Sequence, residues 1–243
     1  MVTATELKQH LGKYLAHVEG FNEVVITKNG TKVARLTPYI TDFEQYLVVQ
    51  ERVRGYQYGG KKVSYEEFME IFSKSDLRME LINGEIHIIA SPSITHQEIL
   101  GLLYLIFHEY FEDHECRVCF APFDVHFYKK NVKDPDVCQP DLMVFCDLEG
   151  NVIEQDRYTG IPTLVLEILS DSTRNKDMID KLNTYRLAGV QEYWIVDPKQ
   201  RNIIIYSFDN LDIDSYRTYG KGQIAQSVAF QGLEAAVTEV FGD

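Results

Sequence analysis

No stretch of this chain approaches the ~18 consecutive apolar residues of a membrane-spanning helix, and its N-terminus carries no signal-peptide hydrophobic region. It has no glycine-rich phosphate loop, no Ser-His-Asp order and no H-E-x-x-H, so P-loop, serine-hydrolase and zincin chemistry have no carrier. Internal repeats and low-complexity segments are absent. Cysteine is scarce, with four among 243 residues. Without secretory targeting, those four are expected as reduced thiols in a cytoplasmic protein. Cys116-x-x-Cys119, with Cys138 and Cys146, invites a zinc reading. On one strand, however, the odd spacing sends Cys116 and Cys119 to opposite faces, and there is no second Cys-x-x-Cys. Positive charge is short too: 24 Lys and Arg stand against 37 Asp and Glu, a net charge of −13. That argues against broad, nonspecific nucleic-acid binding. A metal-dependent nuclease stays open, because carboxylates gathered for a divalent cation also raise the acid content.

What is present reads as an ordinary globular protein, 45% hydrophobic and 25% charged, long enough for one mid-sized domain and a small one. The charge is unevenly spread: residues 1–40 hold five Lys or Arg against three Glu, and the rest hold 19 against 34. Thr3-Ala4-Thr5-Glu6 is a capping-box pattern, followed by Leu7, Leu11, Leu15 and Val18 at helical spacing. Residues 23–39 form two β-rich runs around Asn29-Gly30, a strong hairpin signal. One helix and one hairpin cannot bury an apolar face alone, so this piece is expected to dimerise or lean on the remainder. We place the boundaries at 1–48 for this domain, 49–63 for a linker around Arg54–Gly60, and 64–243 for the main domain.

The main domain opens with a second capping box, Ser64-x-x-Glu67, before a short helix. Residues 80–90 form a hairpin at Asn83-Gly84, with Glu80 opening its first strand. Ser93 caps a long apolar helix from Ile94 to about His114. His96 lies in its first turn, where the helix dipole and burial favour a neutral imidazole. Strands are expected at 117–120 and 124–128. Gln139-Pro140-Asp141 then leads into the apolar strand LMVFC, a position where proline is tolerated. The chain is organised around residues 164–198. An apolar strand, Thr163–Leu169, carries Glu167 in its middle, and a buried carboxylate needs a cation, a metal or hydrogen bonds. A capping cluster, Ser170–Thr173, begins a helix that Gly189 ends, and a strand, Tyr193–Val196, closes the unit. At ~100° per residue Lys181 falls inside the apolar arc of Met178, Leu182, Tyr185 and Ala188, aimed at the sheet that holds Glu167. Tyr185 reads as packing and Asp177 as an i,i+4 partner of the lysine. RNIIIYSF pairs back onto YWIV, and residues 233–241 form a closing element.

Two resemblances follow from these residues. TATELKQHLGKYLAHVEG with VVITKNGTKVARLTPY resembles the N-terminal domain of prevent-host-death (Phd/YefM-type) antitoxins. That resemblance implies a small α/β dimerisation domain whose paired regions contact operator DNA, with Lys8, Lys13 and Lys28 as phosphate contacts, and a toxin as a possible partner. A docking appendage with merely solvated lysines is the alternative. ELINGE, SPSITHQEI, QPD and LVLEILSDSTRNKDMIDKLNTYRLAGVQEYWIVDP, over about residues 63–210, resemble the Uma-two restriction-endonuclease family of the PD-(D/E)xK superfamily. This resemblance implies an α+β, restriction-endonuclease-like mixed sheet flanked by helices. It also implies hydrolysis of DNA phosphodiesters with Mg²⁺ or Mn²⁺, held by Asp141, Glu167 and His96. Glu80 and Lys181 complete the expected catalytic set. The chain departs from the superfamily at Leu169, which occupies the lysine position of the E-x-K triplet. The lysine role therefore moves to Lys181 on the following helix, with Lys176 next in line. A catalytically silent nuclease fold, serving as a DNA-binding or toxin-neutralising module in a homodimer, is the rival reading.

Overall fold

The computed structural model describes residues 1–19, 24–36, 62–149, 151–153, 157–170 and 173–242. The expected linker, 49–63, lies outside them up to residue 61. The chain divides into two compact units, Met1–Glu51 and Arg52–Asp243.

In the first unit, β1 (Val2–Thr3) runs into α1 (Ala4–Gln9) and α2 (Leu11–Glu19), followed by β2 (Val24–Lys28) and β3 (Thr31–Leu36). Thr3 caps α1 by accepting the Glu6 N–H at 3.1 Å, as the capping pattern predicts. The single expected helix is broken at His10, the C-cap of α1. β2 and β3 form the expected hairpin, with positive φ at both Asn29 and Gly30, and β1 adds a parallel strand to it.

The second unit begins with α3 (Tyr65–Ser73), capped by Ser64, and the hairpin β4 (Met79–Ile82) and β5 (Glu85–Ile88). Asn83 and Gly84 both adopt positive φ, which the two-residue turn requires. Then come α4 (Ile94–Phe111), β6 (Arg117–Phe120), β7 (Val125–Phe127), β8 (Asp136–Cys138) and β9 (Leu142–Phe145). A small hairpin, β10 (Val152–Ile153) with β11 (Arg157–Tyr158), precedes β12 (Leu164–Ile168). A π-helical turn, Lys176–Lys181, leads into α5 (Leu182–Ala188), which Gly189 ends in the left-handed region at φ 98°. β13 (Glu192–Asp197), β14 (Asn202–Asp209), β15 (Asp212–Tyr219), β16 (Ile224–Gln226), β17 (Glu234–Ala236) and α6 (Val237–Phe241) complete the chain.

Six strands form one mixed sheet in the order β15-β14-β13-β12-β9-β6, in which β12 and β13 are parallel and the other neighbours antiparallel. A second sheet has the order β5-β4-β8-β7. The period of two along β12 separates the core into two layers. Leu164, Leu166 and Ile168 pack with Leu103 and Phe107 of α4 and with Trp194. Val165 and Leu169 pack on the other face with Leu182, Tyr185 and the second sheet. Glu167 shares that face, so its carboxylate points toward the helix that carries Lys181. The terminal segment closes the α4 layer through Leu233, Ala235, Val237 and Val240, as expected.

The cysteine expectation is corrected. Cys116 and Cys146 form a disulfide, while Cys119 and Cys138 are not disulfide-bonded. The pairing of Arg117 with Phe145 across β6 and β9 brings Cys116 opposite Cys146, so strand register makes the bridge. The opposite-faces argument holds: Cys116 packs on the α4 layer and Cys119 on the other. Among the described residues no helix is long and apolar enough to cross a membrane.

Candidate active site

β9 and β12 are adjacent and antiparallel, with Leu142 opposite Leu166. One step along that ladder, Asp141 and Glu167 come to the same end of the two strands. Asp141 Oδ2 accepts the Ile168 N–H at 2.8 Å and faces His96 Nε2 at 3.1 Å. Ser93 caps α4 by accepting the His96 N–H at 3.2 Å, which fixes the first turn of the helix at the mouth of the site. Both carboxylates line a cleft of about 1380 Å³, together with Glu80, His96, Lys176, Asp177 and Lys181.

Glu167 Oε1 accepts from Lys181 Nζ at 2.7 Å and from Tyr185 Oη at 2.6 Å. Lys181 also reaches Glu80 Oε1 at 2.8 Å and lies 3.6 Å from Asp177. Lys176 takes the other oxygen of Glu80 at 2.7 Å, and the Gln139 N–H donates to Oε1 at 3.0 Å. Lys181 therefore bridges the two other expected catalytic groups of this cluster, Glu80 and Glu167. Lys8, Lys13 and Lys28 are exposed, on α1, on α2 and at the end of β2.

Burial alone would favour the neutral amine of Lys181, but Glu167, Glu80 and Asp177 outweigh it and push the ammonium pKa well up. The side chain is a fixed positive charge. Glu80 shows the reverse balance: burial opposes ionisation, yet Lys181 and Lys176 hold its pKa down to about 2. Glu167 is raised, by burial first and by the carboxylates of Asp141 and Asp177 as well, against the pull of Lys181. The expectation for His96 is corrected. Burial does depress it, but the bond to Asp141 and that residue's charge outweigh burial, and its pKa is raised.

Four carboxylates, Asp141, Glu167, Glu80 and Asp177, thus share the cleft with Arg78, Lys176, Lys181 and Lys199. Both oxygens of Glu80 are engaged, whereas among the described residues the contacts of Asp141 and Glu167 use one oxygen each. A hard divalent cation is commonly held by one or two carboxylates, with water and substrate oxygens completing the shell. The donor set fits that requirement. It is not a ready-made cage: among the described residues no three His, Cys, Asp or Glu side chains converge on one point.

Sequence reasoning missed three members of the site, Tyr185, Gln139 and Arg78, and named Lys176 only as the next candidate after Lys181. Tyr185 was read as packing, yet it donates to Glu167. Lys176 pairs with Glu80. Gln139 lies two residues before Asp141 and was noted only as part of its motif. Arg78, two residues before Glu80, donates from Nε to Gln139 Oε1 at 2.9 Å. Period two from Glu80 would have picked out Arg78 at the entrance to β4.

The mixed α+β architecture, with an Asp and a Glu at the same end of neighbouring strands and a lysine on the carboxylate, is consistent with a restriction-endonuclease-like fold. The chain belongs to the Uma2 family, described as "Putative restriction endonuclease", whose profile matches residues 65–238. A crystal structure of "a putative nuclease belonging to DUF820" from Anabaena variabilis superposes with a TM-score of 0.57 at 17% identity. The match covers 74% of this chain and 97% of that one, and it speaks to the fold. No curated protein matches the chain.

Proposed function

We propose that the protein is a Mg²⁺- or Mn²⁺-dependent endonuclease that hydrolyses DNA phosphodiester bonds in the cleft between α4 and the π-helical turn. The observation that carries this reading is Asp141 and Glu167 at one end of adjacent strands, with buried Lys181 bonded to Glu167. Asp141 and Glu167 would hold the cation, which when bound polarises the phosphate and an attacking water. His96 would take the remaining position or, through its contact with Asp141, orient that water. Lys181, locked as an ammonium, stabilises charge that develops on the phosphate rather than acting as a base. Glu80 holds both lysines in place. Plasmid nicking with and without EDTA, comparing wild type with Asp141→Ala, tests the assignment. Metal-dependent nicking that disappears in the variant is expected; equal nicking by both proteins would overturn it.

A second reading has its own support. Lys181 and Lys176 already occupy the carboxylates of Glu167 and Glu80, which suits a silent nuclease fold used for DNA binding or toxin neutralisation. A wild type that binds DNA yet never cuts with Mg²⁺ or Mn²⁺ would favour it.

For the first unit we propose an antitoxin-like dimerisation domain, with Lys8, Lys13 and Lys28 as contacts to DNA phosphates. Leu11, Leu15 and Val33 are 47%, 44% and 54% exposed, an apolar surface that this small unit does not bury alone. A cytoplasmic homodimer is the corresponding state. Light scattering at micromolar concentration should give twice the chain mass for wild type and a monomer for Leu11→Asp/Leu15→Asp. A monomeric wild type would remove the dimer reading.

A further inference from the structure

The cations of the cleft differ in what they already hold. Lys181 contacts three carboxylates and Lys176 one. Arg78 lines the same cleft and makes no ion pair among the described residues. Its partner is a neutral amide: Nε donates to Gln139 Oε1 at 2.9 Å. Gln139 is itself 8% exposed and cannot turn freely, because its Nε2 donates to Asp124 Oδ1 at 2.7 Å and its backbone N–H donates to Glu80. Among the described residues the guanidinium therefore has no carboxylate partner, is oriented by a buried amide, and has terminal N–H groups without a partner. A planar fork fixed in this way matches the two non-bridging oxygens of a phosphodiester, and pre-orientation lowers the entropy lost on binding.

The backbone places this fork beside the reacting groups. Arg78 precedes Glu80 by two residues at the entrance to β4, and Gln139 precedes Asp141 by two in the segment that joins β8 to β9. The Ile89 N–H donates to the Arg78 carbonyl at 3.0 Å, which holds Arg78 in the hairpin ladder ahead of β4. We infer that Arg78, positioned by Gln139, binds a backbone phosphate of the nucleic acid next to the one presented to Asp141 and Glu167. This assignment rests on the nuclease reading for its ligand, but not on any catalytic step.

The test measures binding rather than cleavage. A short fluorescein-labelled duplex is titrated with full-length protein in EDTA, and anisotropy is followed over a series of salt concentrations. Arg78→Met should weaken binding roughly tenfold or more, as loss of a charge-assisted contact does. It should also lower the slope of log K against log salt by about 0.9, one phosphate's worth. Arg78→Lys should keep the slope and lose affinity, because a point charge replaces a fork. Gln139→Leu should do the same, since the charge stays but its anchor goes. Melting temperatures of Arg78→Met and wild type should agree, which separates a lost contact from a lost fold. Arg78→Met binding with wild-type slope and affinity would overturn the inference, as would a wild type that binds no duplex. Inorganic phosphate that displaces the duplex at constant ionic strength would also overturn it, by showing a site for free phosphate. Plasmid cleavage in Mg²⁺ is scored separately. Arg78-dependent binding without cleavage removes the nuclease reading alone, and cleavage with an unchanged Arg78→Met slope removes this inference alone.

Discussion

Replacing Lys181 with Met removes the ammonium that the buried cluster is built around. Lys181 is 3% exposed and lies 2.7 Å from Glu167, 2.8 Å from Glu80 and 3.6 Å from Asp177. The two nearest carboxylates do not suffer equally. Among the described residues, Glu80 keeps Lys176 and the Gln139 N–H, whereas Glu167 keeps only the Tyr185 hydroxyl. The loss is thus centred on one uncompensated carboxylate, and removing one partner of such a buried pair costs about 3–5 kcal/mol. That is a large part of the 5–15 kcal/mol by which domains are typically stable. Glu167 can escape by taking up a proton, and its folded pKa, already raised, rises further without the lysine. A folded pKa above the unfolded one gives stability that is present at low pH and lost as pH rises through the folded value. The deficit of Lys181→Met should accordingly shrink as pH falls from 8 to 5, by up to about 1.4 kcal/mol per unit. Urea unfolding followed by the single, fully buried Trp194 measures this. Lys181→Met/Glu167→Gln should be more stable at pH 8 than Lys181→Met alone, since it carries no orphaned charge. A deficit below about 1 kcal/mol that is flat with pH would refute the argument. In the nicking assay the same variant should lose roughly 10²–10³ in turnover, as removal of one transition-state donor does.

Tyr185→Phe removes a 2.6 Å donor from Glu167. It should cost about 1.5–3 kcal/mol in urea unfolding, the range for hydrogen bonds to charged groups, and slow nicking more than it weakens DNA binding. Glu80, held at about 2, is a depressed carboxylate; its stabilisation is present above the ordinary carboxylate range and lost as pH falls toward 2. Melting temperatures between pH 2 and 6 should show a steep acid limb in wild type, worth about 3 kcal/mol, and a flatter one in Glu80→Gln. The Cys116–Cys146 bridge spans 30 residues, a loop whose closure is worth about 3–4 kcal/mol by chain entropy. Cys116→Ser/Cys146→Ser should lower the urea midpoint, and reductant should lower it in wild type only.

Much of the site was legible because it sits on regular strands and cap positions. Glu167 stands out as a charge in an apolar run, and Ser93 announces the helix turn that carries His96. Asp141 is marked by the proline at a strand entrance. What sequence could not supply was register and helix type. The disulfide depends on Cys116 and Cys146 falling opposite each other across β6 and β9, a relation between segments 30 residues apart that no local spacing encodes. His96 was misjudged because helix dipole and burial are local, while the Asp141 carboxylate that reverses them comes from a strand 45 residues on. The lysines make the sharpest case. At ~100° per residue, Lys176 and Lys181 in an α-helix lie about 140° apart, too far to share one partner. The segment is instead a π-helical turn, whose i→i+5 ladder brings residues five apart nearly into line. Lys176 and Lys181 consequently grip the two oxygens of the same Glu80 carboxylate. The irregular turn lies in the organising stretch, where local regularity yields to the placement of charge, so an angular rule for α-helices found one lysine of the pair and lost the other.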